Sequence, residues 1–172
     1  MIKIIILLSI ILIFLTGCGG LYNIGNFVLP DDLEFLALID ELNTPKKICQ
    51  YMLDNFEMEE HPGPSLDPYE SYLIQKVDCD DCSVFAIFMA NCNGYETYHL
   101  LVFYPAPVYL KDTWHSIAIY KEGNYYTISE FNIYKYWINF KDFKDILNYF
   151  NGWTKYKIYD YNMNIVEQGY NN

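Results

Sequence analysis

Residues 83–92 read SVFAIFMANC, and no helical or alternating pattern divides them into a wet and a dry face. Val84, Phe85, Ala86, Ile87, Phe88, Met89 and Ala90 are consecutive and apolar. A helix of this kind must be covered on every side, because a polar face is what lets a helix lie at a surface. Asn93-Gly94 then stops it as a C-cap does, since these two residues tolerate the left-handed conformation required there. Whatever the fold, other elements must wrap this helix. The chain has the material: 172 residues, 52% apolar and 19% aromatic, which excludes a disordered chain and supports one domain with its own core.

The wrapping elements are read in chain order. Pro30-Asp31-Asp32 opens a helix in which Leu33, Leu36 and Ile39 keep helical spacing through Leu42. Thr44-Pro45 is an N-cap followed by proline at the first helical position, and Ile48, Met52 and Phe56 line one face of that helix. Residues 61–68, HPGPSLDP, read as a loop. Residues 96–104 read as a strand ended by Pro105-Ala106-Pro107. Residues 115–120 and 125–129 are two more strands, joined by the hairpin signal Lys121-Glu122-Gly123-Asn124. A two-residue turn at Glu122-Gly123 puts Glu130 opposite His115, and a one-residue slip puts Ser129 or Phe131 there. Residues 140–150 are helical, with Phe143, Ile146, Leu147 and Phe150 on one stripe. Residues 153–166 read as a closing hairpin around Asn162 to Asn164. No repeats interrupt this order, which predicts an α+β domain with a buried central helix packed on an antiparallel sheet.

All 11 basic residues are Lys, and the net charge is −11. An acidic chain without arginine is poorly suited to nucleic acid, which selects for clustered positive charge. At the N-terminus, Lys3 precedes an apolar run over residues 4–15 that is short for a bilayer span. The run ends in Leu15-Thr16-Gly17-Cys18, which resembles a bacterial lipobox. That resemblance implies a lipoprotein signal peptide over residues 1–17, lipid on Cys18, a tether over residues 18–29 and a single domain over residues 30–172. It implies a domain anchored to the membrane, outside the cytoplasm, at the cell envelope. Removing Lys3 with the leader leaves 10 Lys against 22 acids, a net charge of −12. The other cysteines, Cys49, Cys79, Cys82 and Cys92, can make two disulfides in an exported domain or include a reactive thiol among buried ones.

In front of the apolar helix stands Asp78-Cys79-Asp80-Asp81-Cys82. A thiol in the first turn of a helix meets unpaired N–H groups and a partial positive charge, which favour the thiolate. The same N–H groups can hold an oxyanion. A thiolate needs a proton acceptor, usually histidine. Of the three histidines, His61 lies in the proline-rich loop and His99 in mid-strand. His115 opens a strand whose hairpin partner offers Ser129 or Glu130, with Asn132 as a further option, to orient the ring. Adjacent carboxylates oppose thiolate formation, so the acids are expected to turn away and cap N–H groups, Asp81 above all.

The run Asp78-Cys79-Asp80-Asp81-Cys82-Ser83, a helix ending at Asn93-Gly94, a strand, and His115-Ser116-Ile117 followed by the 123–129 strand together resemble the transglutaminase-like cysteine peptidase superfamily. The resemblance implies a papain-like fold and a thiol-dependent amide hydrolase or transferase acting on peptide or protein substrates without a cofactor. It implies Cys79 as nucleophile, His115 as general base, Ser129 or Glu130 as the third member, and support from Asp81. Gln75 lies at a plausible distance for the oxyanion side. The chain departs from the pattern in three places. Val77 stands for the usual Gly, Cys82 for an aromatic, and Ser129 with Glu130 for an Asp.

Three other readings compete. A metal site from Cys79, Cys82, Cys92 and His99 fails on geometry, since at helical spacing Cys92 lies about 80° from Cys82 and about 140° from Cys79. A redox pair Cys79-x-x-Cys82 lacks a preceding βαβ pattern. A catalytically silent envelope binding module with the same fold fits the missing third-member Asp.

Overall fold

In the computed structural model, which describes residues 23–106 and 112–171, the apolar helix is wrapped on all sides. Helix α1, Leu33–Glu41, starts at Asp32, whose carboxylate accepts the Glu34 and Phe35 N–H groups. Helix α2, Pro45–Asn55, starts at Thr44, whose hydroxyl accepts the Lys47 N–H. After strand β1, Glu57–Met58, comes α3, Pro68–Ile74. Strand β2, Lys76–Val77, runs parallel to β1 and leads straight into α4, Cys79–Cys92. Strands β3, Glu96–Tyr104, β4, Thr113–Glu122, β5, Tyr125–Glu130, and β6, Ile133–Tyr134, follow. Helix α5, Phe143–Tyr149, and the hairpin β7, Lys155–Asp160, with β8, Ile165–Tyr170, complete the described elements. The described residues are thus α+β, with five α-helices among them and a six-stranded antiparallel sheet in the order β6-β5-β4-β3-β7-β8.

The sheet separates two cores. On one face, α4 lies across β4 and β3, with α2 and α3 against its other sides. Val84, Phe85, Ala86, Met89 and Ala90 are fully buried there, with Phe35, Ile48, Met52, Ala118 and Tyr120. On the other face, Leu100, Ile117, Ile119, Ile128 and Ile158 pack under Phe140, Ile146, Leu147 and Trp153. Strand alternation makes this division: Ala118 and Tyr120 look toward α4, and Ile117 and Ile119 look away.

Three expectations need correction. The tether is docked from residue 24 onward: Ile24–Asn26 form a 3-10 turn, Ile24 is buried, and the Phe27 ring meets Phe88 edge-on at 5.0 Å. The leader, Cys18 and residues 19–22 lie outside the described residues. The proline-rich loop ends one residue early, because Asp67 and Glu70 form a reciprocal capping box and Pro68 is the first residue of α3. The hairpin turns at residues 123–124, so Glu122 pairs with Tyr125 and Glu130 with Ile117 rather than His115. Of the two readings left open for the cysteines, the free thiols hold: Cys49, Cys79, Cys82 and Cys92 form no disulfide with one another.

Candidate active site

Cys79 is the first residue of α4, and two of its acidic neighbours close the helix end. Asp78 Oδ1 accepts the N–H groups of Asp80, at 2.9 Å, and Asp81, at 3.3 Å. Asp81 Oδ2 accepts the Asp78 N–H in return, at 2.8 Å. Such a reciprocal cap satisfies N–H groups that the helix cannot satisfy internally.

Asp81 does more than cap. Its side chain is fully buried, its Oδ1 accepts the Leu66 N–H at 2.7 Å, and His61 Nε2 lies 2.7 Å from its Oδ2. It therefore clasps the loop at residues 61–66 onto the tip of α4. Burial works against a positive charge on His61. The hydrogen bond and charge of Asp81, with Asp78 at 3.9 Å, nevertheless hold its pKa above 6.5. One ligand atom each from His61, Asp78 and Asp81 fall within 4.8 Å of one another, a spacing a cation could use. Both Asp81 oxygens already accept hydrogen bonds, so the cluster is accounted for as a clasp. His61 is the residue the sequence reading passed over. Only its place among prolines, twenty residues before the acid it meets, was visible there.

Asp80 points the other way, toward the sheet. Burial, then the charge of Asp78, pushes its carboxyl up to about 6, while a hydrogen bond from the Ser116 side chain and the charge of His115 pull it down. The first turn of α4 therefore meets β4 at residues 115–116. Half-buried Cys79 sits one residue from Asp80.

At this corner His115 Nε2 lies 3.1 Å from Glu130 Oε1, with the imidazole 11% exposed. The hydrogen bond to His115 holds the Glu130 carboxyl below its ordinary value against the opposing effect of burial, with Lys135 helping from 3.9 Å. A carboxylate only accepts, so Nε2 carries the proton and Nδ1 is left as the basic nitrogen. The two-residue change in hairpin register keeps Glu130 on the His115 side of the sheet, as a diagonal rather than a direct neighbour; alternation puts both on the Ile117 side, away from the body of α4, and the charge of His115 felt at Asp80 is what ties them to its tip. β5 ends at Glu130, and the chain turns at Phe131 (φ +53°), whose ring packs on the imidazole at 5.0 Å. Beyond Ile117, His115 thus stands at an open corner of the sheet, without a β5 partner.

The remaining candidates lie elsewhere. Ser129 is on the opposite face, with its hydroxyl 2.6 Å from the Tyr120 hydroxyl, and does not contact His115. Gln75 is the left-handed C-cap of α3 (φ 57°), and its side chain reaches Tyr51. Asn132 lies past the end of β5, at the wall of a groove beside α2. His99 is buried, 2.5 Å from Ser116 Oγ, and burial depresses its pKa to about 4. Cys82 is buried, and its thiol pKa is raised by that burial and by nearby acids. Cys92 is exposed at the far end of α4, so Cys79, Cys82, Cys92 and His99 do not converge on a metal.

Within the α+β fold, a thiol in the first turn of α4 and a carboxylate-held histidine near the start of β4 are the parts from which a site is built. No family model and no curated protein matches the chain. Among solved structures the chain is similar to Legionella pneumophila LapG, with 14% identity, a TM-score of 0.45 and 70% of each chain covered. It is also similar to an EGTA-treated Legionella pneumophila LapG, with 13% identity, a TM-score of 0.44, and 78% of this chain and 77% of that one covered.

Proposed function

We propose that the chain is a transglutaminase-like cysteine peptidase or amide transferase, tethered through lipid on Cys18 and acting on peptide or protein substrates at the cell envelope. The observation that carries this reading is the His115–Glu130 hydrogen bond, at the end of β4 that meets the tip of α4 beside Cys79. Cys79 sulfur attacks an amide carbonyl as its proton passes to His115 Nδ1. Glu130 holds the Nε2–H and stabilises the imidazolium, the part a carboxylate plays and a serine cannot. The positive end of the α4 dipole faces the oxyanion. Collapse of the tetrahedral intermediate breaks the C–N bond, and the departing amine takes the proton from His115. The resulting thioester is cleaved by water, giving hydrolysis, or by a second amine, giving a new amide. No cofactor enters these steps.

A second reading, a catalytically silent binding module of the same fold, is favoured by the three carboxylates around Cys79, which oppose thiolate formation. One experiment decides between them. Full-length protein is treated with an iodoacetamide probe at neutral pH, and the labelled cysteines are mapped by mass spectrometry. The enzyme reading expects Cys79 to label first, His115→Ala to slow it by about tenfold or more, and Cys82→Ser to leave it unchanged. It also expects the labelled protein to enter the detergent phase only when Cys18 is intact. Labelling of Cys79 no faster than exposed Cys92 leaves the silent module.

A further inference from the structure

Beside α2, β6 and the residues after it form a groove that the chemistry above does not use. Lys46, Gln50 and Leu53 of α2 make one wall, and Ile133, Tyr134 and Tyr136 make the other. Its volume, about 170 Å³, is below the range of small-molecule and cofactor sites, roughly 300–1,000 Å³. It suits a side chain or two of a polymer.

Two lining residues lead from the groove toward the candidate site. Asn132 follows Glu130 by two residues. Cys49 packs in the same core as Cys82, which is one turn from Cys79.

Two features select the occupant. The first is charge. The chain carries twice as many acids as lysines, 22 against 11, yet the groove is lined by Lys46 and by no acid. Lys135 is not part of the lining: its ammonium is 5.7 Å from the centre of the Trp137 ring and 3.9 Å from Glu130 Oε2. Lys46 lies 5.4 Å from the centre of the Tyr136 ring. The second is apolar exposure. Tyr136 and Trp137 are each 59% exposed and Ile133 is 49% exposed. Sugars stack on open flat rings. Here one face of each ring is already covered by an ammonium group, and the two rings meet edge-on at 82°. The Lys46 ammonium beside aromatic and aliphatic side chains fits a carboxylate next to an apolar residue.

We infer that this groove binds the substrate polypeptide through an acidic residue flanked by an apolar one, and so selects acidic-apolar segments for the thiol. The inference rests on the peptidase reading for its purpose, but its test does not depend on catalysis. Full-length Cys79→Ala protein is titrated into fluorescein-labelled octapeptides whose two central positions run over all residue types. Binding is read by anisotropy, and an N-acetylglucosamine hexamer is followed in parallel by tryptophan fluorescence. Peptides pairing Asp or Glu with an apolar residue are expected to bind about tenfold tighter than their Asn or Gln counterparts. Lys46→Ala and Lys46→Gln each remove that difference, Tyr136→Ala weakens all binders, and raising the salt concentration weakens the acidic peptides alone. Equal binding of acidic and amide peptides, indifference to the lysine substitutions, or a response to the sugar only would overturn the inference. Cys79 labelling would still report separately on the peptidase reading.

Discussion

Within α4, residues 84–90 are held by close packing, whereas residues 79–81 are held by hydrogen bonds and charges brought from elsewhere. Phe85 lies between the rings of Tyr51, at 5.8 Å, and Phe56, at 5.0 Å, with nothing polar to satisfy. One turn earlier, Asp81 answers to Leu66, His61 and Asp78 at once, while Asp80 answers to Ser116. One helix therefore holds a stretch whose job is volume and a stretch whose job is placement. The first tolerates no loss of size, and the second no loss of a partner.

Three substitutions sharpen this contrast. The largest effect is expected from Phe85→Ala, which leaves a cavity under two rings and should cost about 3–5 kcal/mol in urea unfolding. A loss under about 1 kcal/mol would mean that the helix body is not close-packed. Next is Asp81→Ala, which strips acceptors from the partly buried Asp78 and Leu66 N–H groups and should cost roughly 2–3 kcal/mol. It should also return the His61 pKa toward 6.5, read by NMR titration. Unchanged stability with an unchanged His61 titration would break the clasp. The smallest effect, and one of opposite sign, is expected from Asp80→Asn. The Asp80 pKa is raised from 3.8 to about 6 in the folded state, so the folded protein binds more protons than the unfolded chain between those values. The native carboxylate therefore costs stability progressively as pH rises through that window. The substitution should add on the order of 1 kcal/mol at pH 7 and almost nothing at pH 4. A gain at pH 4, or a loss at pH 7, would show that Ser116 outweighs burial at this position.

The same division explains what could be read from residues alone. The body of α4 was legible because seven consecutive apolar residues allow only one environment. The starts of α1 and α2 were legible because Asp32 and Thr44-Pro45 act on their own helices within three residues. The antiparallel strands followed from local alternation and a turn signal. Register did not, because Gly123 and Asn124 as well as Glu122 and Gly123 can form the two-residue turn. Which pair turns is settled by burying Ile117, Ile119 and Ile128 together on the far face. That choice left Glu130 on the His115 side and sent Ser129 to Tyr120. Helix α3 was overlooked although Asp67 and Glu70 stand at capping-box spacing, since the prolines before it masked the signal. The His61–Asp81 contact spans twenty residues, and no local preference encodes it. The docking of Ile24 and Phe27 likewise depends on a surface made by α4.

The sheathing of α4 also bears on how the molecule comes apart. Amide protons at 84–90 have no route to solvent short of opening the whole domain, so they should be among the slowest to exchange with deuterium. A thiol mounted on the end of that element rides on the last part to loosen. Its reactivity on heating should persist, nearly level, until the cooperative transition, and vanish with it rather than fade ahead of it.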